Sequence, residues 1–361
     1  MICRNCNKNL KKPILNFKKY PVSLWPCSKI LSKKLASLKI YCCSKCSLCQ
    51  LQRFTKKSMN LFYKNESKVL PNKNLIKSRV SKIKKHIGQL TNLKVLEIGG
   101  GRNDVVSYLN FKEKYVCDFD IEKKIKKTII INSNFEKIKG FEHYFDYIFF
   151  FHTLEHIENP NTFLSNIYKK LKPNGKIILE VPNYKYYLSK IPYYAFFFQH
   201  QMLFTNKSLK NLMASNNFII EKNLSSKNKD IIISVFNKGD SKYSEFPKEK
   251  SILKKITYKI NKKILNLKKF IKKNKIKNIA VYGSGGVSMT LHYHLKQKNI
   301  KVNSFYDNDF RKFNLYVPGT NNRIKKGSTF NEKYYDLILT TNEDLKNYLR
   351  RKLKKPIISL E

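Results

Sequence analysis

The stretch from Lys94 to Asn183 constrains this chain more than any other part of it. It opens with the apolar run Val95-Leu96-Glu97-Ile98, which breaks into Gly99-Gly100-Gly101. Such a run reads as a buried parallel strand. The glycines allow positive φ and let a ligand lie against bare backbone. A helix is expected from about Val105, with its first N–H groups facing that ligand. Tyr115-Val116-Cys117-Asp118-Phe119-Asp120 reads as the next strand, ending in acids. In dinucleotide folds an acid at this place accepts hydrogen bonds from ribose hydroxyls. Phe145 to Phe151 is a further buried strand, with Leu154-Glu155-His156 just past its end, in the crevice where open α/β sheets bind ligands. Asn161 to Leu171 has helical periodicity stopped by Pro173-Asn174-Gly175, and Ile177 to Val181 is another strand.

These elements, in this order and spacing, resemble the class I S-adenosylmethionine (SAM)-dependent methyltransferases. The pairing of Leu154-Glu155-His156 with Leu171-Lys172-Pro173-Asn174-Gly175 separates that family from the dehydrogenases. The resemblance implies a cofactor site built from Glu97, Gly99, Gly100, Gly101, Asp120, His152, Leu154, Glu155 and His156. Asp120 rather than Asp118 falls in the acidic slot. The loop from His152 to His156 is expected near the sulfonium end of the cofactor. A Glu and a His at such a junction can also simply hold the loop.

Seven of the eight cysteines fall within the first fifty residues. Cys3-x-x-Cys6 and Cys43-x-x-Cys46 have the spacing that puts four thiolates on one tetrahedral ion, so a structural Zn²⁺ is expected there. Cys27, Cys42 and Cys49 stand as substitutes for any of the four. Cys117, on a predicted strand, is expected to be a packed hydrophobe. A disulfide framework is disfavoured, because no secretory signal precedes the cluster. Reduced cysteines point to the cytoplasm.

Past a lysine-dense amphipathic stretch, Lys250 to Lys277, with apolar residues at Ile252, Leu253, Ile256, Ile260, Ile264 and Leu265, a second glycine turn appears in Ile279-Ala280-Val281-Tyr282-Gly283-Ser284-Gly285-Gly286. Strands ending near Asp307, Thr340 and Leu360 complete a smaller doubly wound unit. The expected architecture is therefore α/β. It comprises a zinc-binding segment over 1–60, a doubly wound Rossmann-like methyltransferase core over 61–245, and a connecting helix with a second Rossmann-like unit over 246–361.

This whole layout is similar to that of the sugar C-methyltransferases, whose zinc-binding domain ends in Cys-x-x-Cys-Gly-x-x-Gln-Leu. Here that ending is Cys43-Ser44-Lys45-Cys46-Ser47-Leu48-Cys49-Gln50-Leu51. The resemblance implies a nucleotide-sugar contact at Gly283, Gly285, Gly286 and Asp307. Its catalytic Tyr-His-Glu-His stretch aligns with Phe197-Phe198-Gln199-His200. Only His200 is kept, and it becomes the expected general base. The family's His-Gly-Gly-Ser segment is replaced near Lys227 to Ile233.

The formal net charge of +48 raises nucleic acid as a partner. The excess is nearly all lysine and is dispersed, whereas phosphate recognition leans on arginine forks. No run of eighteen apolar residues is present, so no membrane span is expected. The leading expectation is a SAM-dependent methyltransferase acting on a small acceptor such as a sugar or nucleotide-sugar. A zinc-finger RNA methyltransferase and a binding protein that has lost its base are the alternatives.

Overall fold

The computed structural model describes residues 1–63, 73–101, 104–119, 121, 127–190, 196–225, 230–240 and 250–360. The central sheet has seven strands. They are β4 (Lys94–Ile98), β5 (Glu113–Asp118), β6 (Ile129–Asn132), β7 (Phe145–Phe151), β8 (Leu171–Pro182), β10 (Phe218–Asn223) and β11 (Ile231–Lys238), in the order β10-β11-β8-β7-β4-β5-β6. β4 to β8 run parallel, and β11 lies antiparallel to β8. The strands read as continuous apolar runs because both faces are covered. Phe145, Ile148 and Phe150 enter one core, while Tyr147, Phe149 and Phe151 enter the other. The order of connection reverses between β4 and β7, which is where such sheets open a crevice.

Two expectations about local structure fail. The segment after the glycine turn forms only a three-residue 3₁₀ turn, Val106–Tyr108, in place of a helix from Val105. The Glu97 carboxylate reaches the Val105 and Val106 N–H groups at 2.7 and 2.9 Å, so one buried acid does the work of a helical turn's first bonds. Pro173-Asn174-Gly175 does not sit in a loop. The helix Pro160–Lys170 passes directly into β8, and the irregularity appears as a register shift against β7.

A smaller sheet, β1 (Leu15–Pro21), β2 (Leu35–Cys42), β3 (Cys49–Leu51) and β9 (Met202–Leu203), takes its last strand from beyond the central sheet's β8. The N-terminal segment is thus knitted to residues 150 positions away. Asn161 donates to the Asn5 carbonyl and Asn211 to the Cys46 carbonyl, and Cys3, Cys43 and Cys46 share a core with Phe204 and Leu209.

The third sheet is wholly parallel. Its strands β12 (Ile279–Tyr282), β13 (Ser304–Asp307), β14 (Ile324–Lys326), β15 (Leu337–Thr340) and β16 (Ile357–Ser359) lie in the order β14-β13-β12-β15-β16. The expected basic helix is present over Lys250–Lys273. It buries Ile260 and Ile264, as the pattern predicts, together with Leu267, but leaves Leu265 exposed. The side chains of Ile252, Leu253 and Ile256 lie outside the described residues. Among the described residues, no helix is long and apolar enough to cross a membrane.

Candidate functional site

The crevice is built from the ends of β4, β5 and β7. Gly99 has φ +78°, and a Cβ there would drive into the Thr153 hydroxyl, which is itself tied to the Ile98 and Phe151 carbonyls. Gly100 lies against the Glu97 side chain, where a Cβ would come within 2.9 Å. Glu97 is buried, and burial outweighs its two N–H bonds to lift its carboxyl to about 8. It shapes the turn from behind. Asp118 closes the turn from the other side, accepting the Gly101 N–H at 3.0 Å and the Phe119 N–H at 2.7 Å. Its oxygens are thus already engaged by backbone. The ribose role expected of Asp120 falls on a position outside the described residues.

Past β7 the chain turns sharply at His152, φ +51°, into the short turn Leu154–His156. Leu154 is fully buried and anchors that turn in the core. His152 hydrogen-bonds Glu155 Oε1 through Nδ1 at 3.2 Å and Glu180 Oε1 through Nε2 at 2.9 Å. Desolvation opposes a charge on this ring, but the two carboxylates outweigh it and raise the imidazole to about 9. Glu180, on β8, also takes a forked pair of bonds from Arg79 on the helix Lys73–Ile87. The pairing with His152 in turn holds Glu155 below the usual carboxylate range despite its burial.

His200 comes to the same place from the segment just before β9. Its ring crosses that of His156 at 87° with centroids 4.9 Å apart, and it lies close to Glu155. Desolvation, then the neighbouring His156, pushes His200 down to about 3. The ring therefore stays neutral at neutral pH and accepts a proton weakly, which works against the free-base role expected of it. Of the three departures before it, Phe197 packs its ring 5.0 Å from that of His200, and the other two face elsewhere. Phe198 stacks on Phe62, and Gln199 donates to the Phe62 carbonyl at 2.8 Å. Residues that were catalytic types in the resemblance serve here as packing.

The expected thiol cluster is assembled. The sulfurs of Cys3, Cys6, Cys43 and Cys46 lie within 4.8 Å of one another. Tetrahedral zinc–thiolate geometry needs sulfurs about 3.8 Å apart. Hydrogen bonds from Cys3 and Cys46 draw Cys43 well below the ordinary thiol range. The three substitutes lie outside this group. Cys42 and Cys49 are direct cross-strand partners joined by a disulfide, against the expectation of reduced thiols, and Cys27 pairs its backbone with Tyr316 in the C-terminal unit. Cys117 is buried as expected. Arg4, inside the first knuckle, donates to Gln201 at 3.0 Å, and Gln201 donates to the His156 carbonyl at 2.9 Å. The knuckle and the crevice are thus mechanically joined.

In the C-terminal unit, Gly283 has φ +87° and Gly286 opens the helix Gly286–Lys296, with open space around Gly285. Asp307 accepts the Ser284 N–H at 2.7 Å and pairs with Lys312 at 2.8 Å. It closes its glycine turn as Asp118 closes the central one.

Sequence reading missed Arg79, Glu180, Tyr63 and Tyr184. The last two hydrogen-bond His156 and His200. One signal was available: Arg79 is one of eight arginines among 73 basic residues, so its choice over lysine marks a need for a fork.

The doubly wound sheet thus sets a glycine turn and a Glu-His turn facing each other across the switch point, the place where such sheets bind ligands. Residues 66–223 match the family model described as a methyltransferase domain. The central unit is therefore similar to methyltransferase domains. No curated protein matches the chain. Among solved structures, 1,6-didemethyltoxoflavin-N1-methyltransferase of Burkholderia thailandensis, with bound S-adenosylhomocysteine, is 16% identical over 46% of this chain and 78% of that one, with a TM-score of 0.36. The PH0226 protein of Pyrococcus horikoshii is 18% identical over 46% and 90%, with a TM-score of 0.39. A SAM-dependent methyltransferase of Mesorhizobium loti is 10% identical over 45% and 98%, with a TM-score of 0.37.

Proposed function

We propose that this chain binds SAM across Gly99–Gly101 and Asp120 and transfers its methyl group to a small acceptor, a sugar or nucleotide-sugar. The observation that carries this is the placement of the Glu155-His156 turn opposite the glycine turn, inside the segment that matches the methyltransferase domain. The parallel C-terminal unit, with its own glycine turn at Gly283–Gly286, supports a nucleotide-bearing acceptor. Transfer is an in-line displacement at the sulfonium methyl, so positioning supplies much of the rate. Glu155, His156 and His200 form the acceptor side. A structural Zn²⁺ on Cys3, Cys6, Cys43 and Cys46 belongs to the same reading, as a clamp on the N-terminal sheet.

Calorimetric titration tests the cofactor half. Asp120→Ala should weaken SAM by roughly 1.5–3 kcal/mol, the worth of charge-assisted bonds to ribose. Asp118→Ala should act mainly on the stability of the turn it closes. Equal affinities for the two variants would place the ribose elsewhere. Methyl transfer from labelled SAM to a panel of sugars, nucleotide-sugars and RNA tests the acceptor half. SAM binding with no transfer to any of them would overturn the enzymatic reading, and transfer to RNA alone would overturn the sugar.

A further inference from the structure

We propose that Glu155, His156 and His200 form a second metal site, separate from the four cysteines, for a divalent cation of the manganese-to-zinc series. One carboxylate oxygen and one nitrogen from each ring lie within 4.8 Å of one another. Small side-chain rotations bring such a set onto one ion with bonds of about 2.0–2.2 Å.

Three further observations point to an ion rather than to a self-contained polar cluster. Glu155 is completely buried, and its Oε2 has no hydrogen-bond partner, while Oε1 is held by His152. A buried carboxylate oxygen without a partner is costly, and a cation relieves that cost. Each imidazole has an outer partner on the nitrogen that would not bind the ion. His156 Nδ1 meets the Tyr63 hydroxyl at 3.3 Å, and His200 Nδ1 meets the Tyr184 hydroxyl at 3.3 Å. With Nε2 given to a metal, Nδ1–H donates to the tyrosine oxygen, which fixes tautomer and ring orientation as outer partners of metal-bound histidines do. The backbone is also held from both directions, because Gln201 ties the His156 carbonyl and β9 fixes the segment that follows His200.

The donor set selects the ion. Two neutral imidazoles and a carboxylate suit Mn²⁺, Fe²⁺, Co²⁺ or Zn²⁺, whereas Mg²⁺ and Ca²⁺ favour all-oxygen sites. The soft thiolates of the N-terminal cluster favour zinc, so the two sites differ in preference. Three protein ligands leave coordination positions open, and an acceptor's hydroxyl or carbonyl oxygens would fill them. That last step rests on the reading of the crevice as a methyl-transfer site. Binding of the ion does not.

The test uses the untagged full-length protein, isolated with its zinc, and Mn²⁺ as the probe. Electron paramagnetic resonance of free Mn²⁺ should show one saturable site per chain. Pulsed measurement on the bound ion should show couplings to imidazole nitrogen. Glu155→Gln and His200→Asn should each weaken Mn²⁺ at least tenfold, with thermal melting confirming that the variants fold. Tyr184→Phe should weaken it by a smaller factor, as a positioning residue. No saturable Mn²⁺ binding by the wild-type protein, or bound Mn²⁺ without nitrogen coupling, would overturn the proposal. So would binding left unchanged in both ligand variants. SAM titration of the same sample without Mn²⁺ reports the donor site independently, so failure there would sink the methyl-transfer reading and leave the metal site standing.

Discussion

Replacing Arg79 by methionine should be among the most damaging single changes outside the apolar cores. Arg79 and Glu180 have side-chain exposures of 4% and 0%, and the guanidinium is forked onto both carboxylate oxygens. It also lies 4.9 Å from the centre of the Phe151 ring. Removing one partner of a buried pair strands the other and costs about 3–5 kcal/mol. Glu180 would still keep its 2.9 Å contact with His152, which is charged at neutral pH, so the loss should fall near the lower bound, about 3 kcal/mol. Methionine roughly conserves volume, which keeps a cavity from inflating the figure. Denaturant unfolding of Arg79→Met, Glu180→Gln and the double variant gives the test. Once the arginine is gone, neutralising Glu180 removes the stranded charge, so the double variant should be less damaged than the sum of the singles by about 2 kcal/mol. A loss under about 1 kcal/mol for Arg79→Met, or strict additivity in the cycle, would refute the claim that this pair carries buried charge across the crevice wall.

Metal analysis should find one zinc per chain, and Cys3→Ser should abolish it and loosen the N-terminal sheet; retention of zinc in that variant would exclude the four-cysteine assignment. Gly99→Ala should destabilise by about 2 kcal/mol or more, from left-handed backbone strain and displacement of the Thr153 hydroxyl from its two carbonyls. Removing Thr153 in the same chain should recover part of that loss. His292 is buried against Phe305 with both ring nitrogens unpartnered, and burial lowers it to about 4 from its ordinary 6.5. Above pH 6.5 it is neutral folded or unfolded. Between 6.5 and 4 only the unfolded chain takes the proton, so stability should fall with pH by up to about 3 kcal/mol, and His292→Leu should flatten that slope.

What could be read in advance follows from the range of the interactions involved. Lys94–Ile98 and Phe145–Phe151 were legible because a strand buried on both faces writes itself as a mostly apolar run, here interrupted inside by Glu97 and Asp146. The grouping of Cys3, Cys6, Cys43 and Cys46 was legible because their doubled Cys-x-x-Cys spacing brings four sulfurs together. The site's charge network was not. Arg79 and Glu180 lie 101 residues apart, and nothing local pairs them. Glu97 substituting for a helical turn, and β8 running through Pro173-Asn174-Gly175, are cases where tertiary contact overrode local chemistry. Cys42 and Cys49 were read as spare ligands, whereas the two-strand register sets them face to face. His200 was identified by its neighbours in the chain, yet the residues that define its chemistry, His156 and Tyr184, come from other elements.

The pairing of β3 with β9 has a consequence for how the chain is made. During synthesis the edge of β3 emerges about 150 residues before the strand that covers it. At 5–20 residues per second that leaves roughly 8 to 30 seconds in which the N-terminal sheet has an open, apolar edge. The two cysteine knuckles, in contrast, are both complete once Cys46 has left the ribosome. An ion captured there would hold the first fifty residues in register while the central sheet is still being translated. The clamp would then act first as a placeholder for a strand that has yet to arrive, and zinc supply would govern the yield of folded chains more than the stability of those already finished.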